Sequence, residues 1–226
     1  FDGNTGSKSI VTKDVDGIND NSFSVCLYVQ RKRVGVRENL LTMGERTPNG
    51  GVEMNFLSGN EIGFNLISDY TATSSGFGML GWVHWAFVYN TDGNGMSIFC
   101  GGVAQTALSP TYGNGGTSSG PSTATGPIHL GVKKWQTSLS PFNGNMDELR
   151  VYAERALTEA EVASMMTNPI TNDRGRGLIL AMTFDFSGNL GKDSSCGGVG
   201  DATSMTTASS TSGKMCGLTD SSSLPP

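Results

Sequence analysis

Three aromatic residues, Tyr70, Tyr112 and Trp135, are the side chains of this sequence that could bind a sugar. A carbohydrate site needs an aromatic surface that packs against the C–H face of a sugar ring and polar groups that fix its orientation. Trp135 follows Lys133 and Lys134, and these polar neighbours predict that its ring is partly exposed. Each of the three aromatic residues lies near a predicted loop and could bind a ligand or pack at a sheet edge.

Catalytic groups are not evident in the sequence. Glycoside hydrolases use two carboxyl groups that flank the scissile bond, whereas Glu53 and Glu61 fall in separate segments. His84 and His129 are the only histidines, and each lies among apolar residues of a predicted strand. Such a setting is typical of a structural histidine. The sequence therefore predicts no catalytic residues and a protein that is not an enzyme.

The four cysteines do not have the spacing of a metal site, because zinc sites need close pairs of Cys or His. Cys196 and Cys216 flank a segment rich in Gly, Ser and Thr. We expect a disulfide between them, which would stabilise the protein by about 3 kcal/mol by restricting the unfolded chain. Cys26 and Cys100 lie in predicted strands and are either buried small hydrophobic residues or a cross-strand pair.

Residues 82–103 predict two antiparallel strands joined by a tight turn. Side chains alternate between the two faces of a strand, and from Trp82 to Tyr89 both faces receive large apolar residues. Two apolar faces are typical of a strand that is covered on both sides, as in a two-sheet sandwich. The turn at residues 92–95, Asp-Gly-Asn-Gly, favours a hairpin because these residues tolerate positive φ.

Further strands and one short helix are predicted along the chain. Thr158 is a good N-cap, and Glu161 completes a capping box for a helix over residues 156–166. Residues 109–126 are rich in Gly, Ser, Thr and Pro and predict a long loop. Alternating apolar residues between turn clusters predict strands at residues 23–29, 40–43, 52–57, 61–67, 128–132 and 142–152.

Composition and charge favour an all-β domain and exclude several classes of function. The chain has 226 residues, 32 of them Gly, and only 15% are charged, which is typical of short strands joined by polar turns. Its net charge of −5 argues against nucleic acid, which requires a basic face. The basic run at residues 31–33 predicts a solvated loop. No apolar run is long enough to span a bilayer.

Three motifs resemble those of laminin-G-like domains of the concanavalin A-like superfamily. Residues 1–3, Phe-Asp-Gly, are similar to the FDG motif of an early strand, and residues 82–89 have the pattern W-x-H-x-A-x-x-Y before the hairpin. Residues 142–166 resemble the tail f-x-G-x-[ILM]-D-E-[VL]-r-[IVL]-y and the helix after it. The resemblance implies a two-sheet antiparallel jelly-roll sandwich with one short C-terminal helix, over about residues 1–170.

The resemblance also implies a calcium site. Asp147 occupies the Asp position of the D-E-[VL] motif, and Asp2 and Gly3 belong to the FDG motif. Calcium takes six to eight oxygen ligands, from carboxylates and backbone carbonyls. The alternative is that Asp147 accepts hydrogen bonds from a neighbouring loop and orders the last strand without an ion.

The C-terminal segment, residues 171–226, is rich in Gly, Ser and Thr and contains a predicted strand at 177–186. Residues 176–195 are similar to the family motif that precedes the FDG strand, although here they follow the helix. Two explanations remain open. The segment begins a following repeat, or its strand completes the sandwich of this domain.

These observations predict a non-catalytic extracellular or cell-surface module for recognition or adhesion. Its partner would be a glycan or an extracellular protein, with calcium as a candidate structural ion and with no nucleic acid or membrane insertion. Two alternatives stay open: a structural repeat that contacts neighbouring copies or domains of a fibrous or cell-surface assembly, and an accessory carbohydrate-binding domain of a larger enzyme.

Overall fold

The computed structural model describes residues 1–3, 9–15, 18, 21–45, 50–66, 69–73, 77–78, 80–92, 95–112, 125–135, 141–167, 177–182, 184 and 202–205. Strands 69–73, 107–112 and 202–205 are described by their backbone alone. In chain order, the strands are β1 Ile10–Val15, β2 Phe23–Arg31, β3 Glu38–Gly44, β4 Gly51–Phe56, β5 Ile62–Leu66, β6 Asp69–Thr73, β7 Trp82–Asn90, β8 Gly95–Cys100, β9 Val103–Ala104, β10 Ala107–Tyr112, β11 Gly126–Leu130, β12 Gly144–Ala153, β13 Leu178–Met182 and β14 Ala202–Met205. The helix, α1, spans Glu159–Thr167 and follows β12.

The strands form two antiparallel sheets. The eight-stranded sheet has the order β10-β6-β5-β4-β3-β11-β1-β14, and the six-stranded sheet has the order β13-β12-β2-β7-β8-β9. The described pairings between neighbouring strands are antiparallel. The predicted two-sheet antiparallel sandwich with one short helix is therefore confirmed.

The core lies between the two sheets and is rich in aromatic side chains. Phe64 of the eight-stranded sheet contacts Phe23 and Phe87 of the six-stranded sheet edge to face, with ring centroids 5.9 and 5.7 Å apart. Phe56 and Trp85 make a similar contact at 5.9 Å. Aromatic pairs prefer this geometry because the positive ring edge faces the negative ring surface. These contacts join the two sheets.

The helix covers one end of the outer face of the six-stranded sheet. Its capping box forms as predicted: the Glu161 backbone N–H donates to Thr158 Oγ1 at 3.3 Å, and the Thr158 N–H donates to Glu161 Oε2 at 2.7 Å. Val162 and Met165 are buried in a second apolar cluster with Cys26, Ala86, Val88, Phe99, Tyr152 and Leu157. Strand β7 is therefore covered on both faces, as its sequence predicts. No helix among the described residues is long and apolar enough to cross a membrane.

Strand β10 corrects the start of the long loop predicted at residues 109–126, because residues 109–112 belong to β10, and Thr111 and Tyr112 pair with β6 at the edge of the eight-stranded sheet. The pairing register shifts between Leu108 and Thr111, and Pro110 lies within this irregularity. Proline lacks an N–H and is tolerated in a sheet at edges and bulges. The position of Pro110 explains why a turn-like sequence contains a strand.

The C-terminal strands join both sheets. Residues 178–182, within the predicted strand at 177–186, form β13 and pair with β12 at the edge of the six-stranded sheet. Residues 202–205 form β14 and pair with β1 at the edge of the eight-stranded sheet. The division of the chain into 1–170 and 171–226 stays a prediction.

Candidate functional site

Strand β4 carries polar side chains on the face that turns away from the core. Val52, Met54 and Phe56 belong to the core, so the alternation of strand side chains directs Glu53 and Asn55 to the outer face of the eight-stranded sheet. Outward-facing polar residues are usually solvated. Here Glu53 is only 2% exposed and Asn55 is fully buried, which indicates that other groups cover them.

Glu53 is the centre of a hydrogen-bonded cluster on this outer face. Its Oε1 accepts from Asn55 Nδ2 at 2.8 Å, from Lys133 Nζ at 3.1 Å and from Arg37 Nη2 at 3.3 Å. Lys133 Nζ also lies 2.9 Å from Oε2. A buried carboxylate is costly unless it is paired and hydrogen-bonded, and these donors meet that need. We call Glu53, Asn55, Arg37 and Lys133 the Glu53 cluster.

The amide of Asn55 leaves one acceptor unused. Its Nδ2 donates to Glu53, but its Oδ1 is buried and has no hydrogen-bond partner among the residues that the structure describes. A buried polar atom without a partner costs about 1–3 kcal/mol. The carbonyl oxygen of Asn55 therefore has acceptor capacity for a bound water, and a ligand hydroxyl would reach it only after a covering side chain moved.

Trp135 lies beside the Glu53 cluster. Lys133 Nζ, which pairs with Glu53, is 6.0 Å from the centroid of the Trp135 ring, the outer limit of a cation–π contact. Trp135 is partly exposed, as its neighbours in the sequence predict. The structure thus places an aromatic ring next to buried polar groups, although the ligand-binding role of Trp135 stays a prediction.

The other two predicted aromatic residues lie on strands of the same sheet. Tyr70 in β6 pairs with Asn65 in β5, which in turn pairs with Glu53 in β4. Tyr112 in β10 pairs with Asp69, the residue before Tyr70. The backbone register therefore continues from Glu53 toward both tyrosines. Their side chains lie outside the described part of the structure, so their role also stays a prediction.

The basic run at residues 31–33 is not wholly solvated, so that prediction is wrong for Arg31. Arg31 is 2% exposed; its guanidinium lies 4.0 Å from the centroid of the Phe56 ring and donates from Nε to Glu38 at 3.1 Å. Burial lowers the pKa of Arg31, and the nearby charge of Glu38 opposes that shift. The fully buried Glu38 also accepts from Arg33 Nε at 2.7 Å. These ion pairs fix the β2–β3 connection next to the Glu53 cluster.

Sequence reasoning missed the Glu53 cluster. The alternation of residues 52–57 predicts that Glu53 and Asn55 share one face of a strand, but not that this face is covered. Arg37 and Lys133 are 16 and 80 residues from Glu53 along the chain. Only the order of strands, which places β3 between β4 and β11, brings these residues together.

Asp147, the main predicted calcium ligand, lies buried in a bulge of β12. Its Oδ1 accepts from the Glu148 N–H at 2.8 Å and from the Phe184 N–H at 3.3 Å. The pairing with β2 shifts between Asp147 and Arg150, and Glu148 has a φ of 53°. The hydrogen bond from Phe184 is the kind of contact that the alternative without an ion requires, because it ties the chain after β13 to β12.

The three predicted calcium ligands do not come together in one site. Asp2 pairs with Asn143, four residues before Asp147, which is about 13 Å along an extended chain. A Cβ on Gly3 would lie 2.9 Å from the Arg33 guanidinium, and this positive charge disfavours a cation there. The described residues contain no group of three or more His, Cys, Asp or Glu side chains placed to hold a metal. Calcium binding by Asp147 stays a prediction.

The histidine of the W-x-H motif is buried. His84 is 2% exposed, and its ring centroid lies 5.0 Å from that of Tyr28. Burial and, to a smaller extent, the charge of Arg150 lower the pKa of His84 to about 4. His84 is therefore neutral at pH 7 and packs within the outer face of the six-stranded sheet.

The structure rules out the cross-strand pair between Cys26 and Cys100, because both are free thiols. Cys26 lies opposite Ala86 on the outer face, and Cys100 lies opposite Trp85 on the core face. The sheet therefore separates the two thiols. Burial raises the pKa of Cys26 to about 12 and that of Cys100 to about 11. The predicted Cys196–Cys216 disulfide lies outside the described residues.

Two antiparallel sheets with this strand order, and with an aromatic residue beside a polar cluster on one outer face, define a jelly-roll sandwich of the concanavalin type. The chain belongs to the Laminin_G_3 family of the concanavalin A-like lectin/glucanases superfamily, whose sequence profile matches residues 2–163. The predicted family is therefore confirmed. No curated protein shows significant sequence similarity to the chain.

Solved structures with the same fold include three that cover most of this chain. A candidate carbohydrate-binding protein from Bacteroides ovatus has a TM-score of 0.64 at 16% identity and matches 90% of this chain, which spans 58% of that protein. A SAP-like pentraxin from Limulus polyphemus has a TM-score of 0.55 at 13% identity, covering 73% of this chain and 79% of the pentraxin. The CBM40 of the Ruminococcus gnavus IT-sialidase, bound to α2,3-sialyllactose, has a TM-score of 0.52 at 13% identity, covering 73% of this chain and 96% of that domain. At these identities the similarity establishes the fold.

Proposed function

We propose that the protein is a non-catalytic, extracellular carbohydrate-binding module whose glycan site is the outer face of the eight-stranded sheet, at Trp135 and the Glu53 cluster. The observation that carries this proposal is the partly exposed Trp135 ring, 6.0 Å from Lys133 Nζ of a polar cluster that includes a buried amide with an unused acceptor. An aromatic surface next to fixed polar groups is the combination that sugar recognition requires.

Two of the similar structures support this proposal. The Bacteroides ovatus protein is described as a candidate carbohydrate-binding protein, and the Ruminococcus gnavus CBM40 was solved with a bound sialylated trisaccharide. Because one fold hosts many functions, these two structures support the proposal only together with the site at Trp135. Glycan modules of this kind act mostly outside cells, which is the basis for the proposed location.

The buried carboxylates near this face support a non-catalytic role. Glu53 is paired with Arg37 and Lys133, and Glu38 with Arg31 and Arg33. A glycosidase needs one carboxyl group that donates a proton and a second that acts as nucleophile or base. Each of these carboxylates pairs with two cations, so its oxygens are engaged with the protein and not with a substrate.

The test is a glycan array probed with the wild-type protein and with two tryptophan variants. We expect Trp135→Ala to lose the signal, because it removes the aromatic surface for the sugar. Trp82→Ala is the matched control, because Trp82 is also partly exposed but lies in β7 of the other sheet, and it should bind as wild type does. Equal binding by Trp135→Ala and wild type, or no wild-type binding to any glycan, would contradict the proposal.

A structural calcium ion at Asp147 is proposed as a separate feature. Ligands that bind only the folded state raise its melting temperature, so thermal unfolding with calcium and with a chelator tests the ion directly. A shift that Asp147→Asn removes would support it, and identical melting temperatures would leave Asp147 as a hydrogen-bond acceptor. Association with an extracellular protein or with neighbouring copies also stays a proposal, which size-exclusion chromatography over a range of concentrations tests.

A further inference from the structure

We propose that the glycan bound at this face is anionic, a polysaccharide with carboxylate or sulfate groups, and that Arg37 is the main residue that binds the anionic group. This inference rests on the proposed function and names the class of its ligand. The features that carry it are the charge of the β2–β3 connection, the exposure of Arg37 and the position of Arg37 within the Glu53 cluster.

The surroundings of the Glu53 cluster are basic although the protein as a whole is acidic. Arg37 and Lys133 belong to the cluster, and Lys32 and Arg33 lie in the connection that leads to Arg37. The ion pair of Arg31 and Glu38 is left out, because Glu38 lies opposite the core residue Phe56 and this pair therefore faces the core. The four remaining cations against Glu53 leave an excess of three positive charges. The excess is two if Glu61 of the neighbouring β4–β5 turn is included. The net charge of the whole chain is −5, so this patch runs against the overall charge.

Arg37 is the residue of this patch that is best placed to bind a ligand. Its side chain is 46% exposed, whereas those of Arg31 and Lys133 are 2% and 13% exposed. The 3.3 Å contact with Glu53 is longer than the 2.7–2.9 Å of a strong charge-assisted hydrogen bond. A guanidinium carries five N–H donors, and one of them serves this contact among the described residues.

An anionic group and a hydroxyl group of one ligand would each find a partner in the Glu53 cluster. Arg37 Nη2, Lys133 Nζ and Asn55 Nδ2 all contact the same atom, Glu53 Oε1, so the three nitrogens lie within about 6 Å of one another. A guanidinium binds carboxylate and sulfate oxygens in a forked geometry. Asn55 Oδ1, in contrast, would accept a hydrogen bond from a hydroxyl once a covering side chain turned aside. An anionic group beside a sugar hydroxyl matches this pair of neighbours.

The exposed part of the β2–β3 connection extends the basic surface beyond Arg37. Lys32 is exposed, and the Arg33 side chain is 33% exposed although its Nε is bound to Glu38. A polysaccharide carries its charges at regular intervals, so a chain bound at Arg37 would place further anionic groups near these residues. Exposed charges attract one another less at high salt, which gives the inference a second readout.

The experiment measures affinity by isothermal titration calorimetry for two matched pairs of ligands. Polygalacturonate is compared with its methyl ester, which removes the carboxylate charge, and chondroitin sulfate is compared with desulfated chondroitin. We expect binding to the charged member of at least one pair, weakened at least about tenfold when NaCl is raised from about 50 to about 500 mM. The pair that binds distinguishes a carboxylate ligand from a sulfate ligand.

Variants of Arg37 connect the charge dependence to the site. Arg37→Gln should weaken binding to the charged ligand about tenfold, the loss expected for one charge-assisted hydrogen bond, and Arg37→Lys should retain part of the affinity. Arg155→Gln is the control, because it removes one positive charge next to α1, where Arg155 pairs with Glu161. Melting temperatures verify that each variant is folded.

The outcomes separate the two proposals. Salt-sensitive binding to a charged ligand that needs Arg37 but not Arg155 supports the anionic ligand. Binding to neutral glycans alone, or equal loss in Arg37→Gln and Arg155→Gln, overturns it while the Trp135-dependent glycan site stands. Absence of binding to every glycan, in these titrations and on the array, overturns both.

Discussion

The outer faces of the two sheets follow the same alternation of side chains and are covered in opposite ways. On the six-stranded sheet, Val162 and Met165 of α1 close an apolar surface around Cys26 and Tyr152. On the eight-stranded sheet, charged and amide side chains cover one another around Glu53. At the end of the six-stranded sheet that α1 covers, the apolar side chains offer a ligand no hydrogen-bonding group, whereas the polar cover of the eight-stranded sheet has an exposed guanidinium. The comparison indicates that the residues packed over the outer face of a sheet, more than the strands themselves, decide whether that face can bind a ligand.

The largest expected effect comes from opening the apolar cover. Met165→Ala removes a fully buried side chain from the contact between α1 and the six-stranded sheet and should lower the free energy of unfolding by about 3 kcal/mol. Met166→Ala, at the partly buried neighbour, is the control and should cost less than about 1.5 kcal/mol. Urea denaturation measures both. An equal loss in the two variants would contradict the difference in burial between the two methionines.

The next expected effect comes from a substitution of Glu53, the centre of the polar cover. Glu53→Gln leaves Lys133, which is 13% exposed, without its counter-charge, and breaking a buried ion pair should cost about 3 kcal/mol of unfolding free energy. The control is Glu45→Gln, since Glu45 pairs with Lys134 while its side chain is 69% exposed, and surface pairs contribute about 0.5 kcal/mol. If Glu53→Gln were as stable as wild type in urea, the Glu53 cluster would not hold this face together.

The last expected effect is a pH dependence of the free energy of unfolding that comes from the outer face of the six-stranded sheet. The pKa of His84 is about 4 in the folded protein, against an ordinary value of 6.5, because burial and then Arg150 disfavour its charged form. As pH falls, the unfolded chain takes up this proton first. The stability contributed by neutral His84 is therefore complete above about pH 6.5 and is lost as the pH falls toward 4, by about 3 kcal/mol in total.

The measurement is the free energy of unfolding between about pH 7 and pH 4 for wild type and His84→Gln. We expect a flatter pH dependence in the variant, since glutamine does not titrate. His129→Gln serves as the comparison, because His129 of the eight-stranded sheet is only partly buried and burial lowers its pKa less markedly. Parallel curves for wild type and His84→Gln would show that His84 does not set the pH dependence.

The fold was predictable because its signals are local. Alternation in residues 23–29 and 82–89 predicts the central strands β2 and β7, and Thr158 and Glu161 predict the start of α1. Errors arose where the surroundings decide the outcome. Arg31 reads as a solvated residue in a basic run, but its partner Glu38 and the Phe56 ring come from strands β3 and β4.

The candidate site was predictable only in part, for the same reason. Trp135 could be selected because it stands between polar residues in the sequence. Glu53 and Asn55 could not be selected, because polar residues at alternate positions of a strand predict a solvated face. Only the strand order shows that Arg37 and Lys133 cover this face. Asp147 was selected from a motif, and the motif does not distinguish an aspartate that orders a bulge from one that binds an ion.

The shifted register at Pro110 has a consequence for the protein at high concentration. An exposed edge strand invites pairing with another molecule, and proline and bulges are devices that interrupt such pairing. Strand β10 lies at one edge of the eight-stranded sheet, and an incoming strand would meet a missing N–H and a break in the ladder there. The eight-stranded sheet is thus protected on that side against strand pairing between molecules, which leads to aggregation.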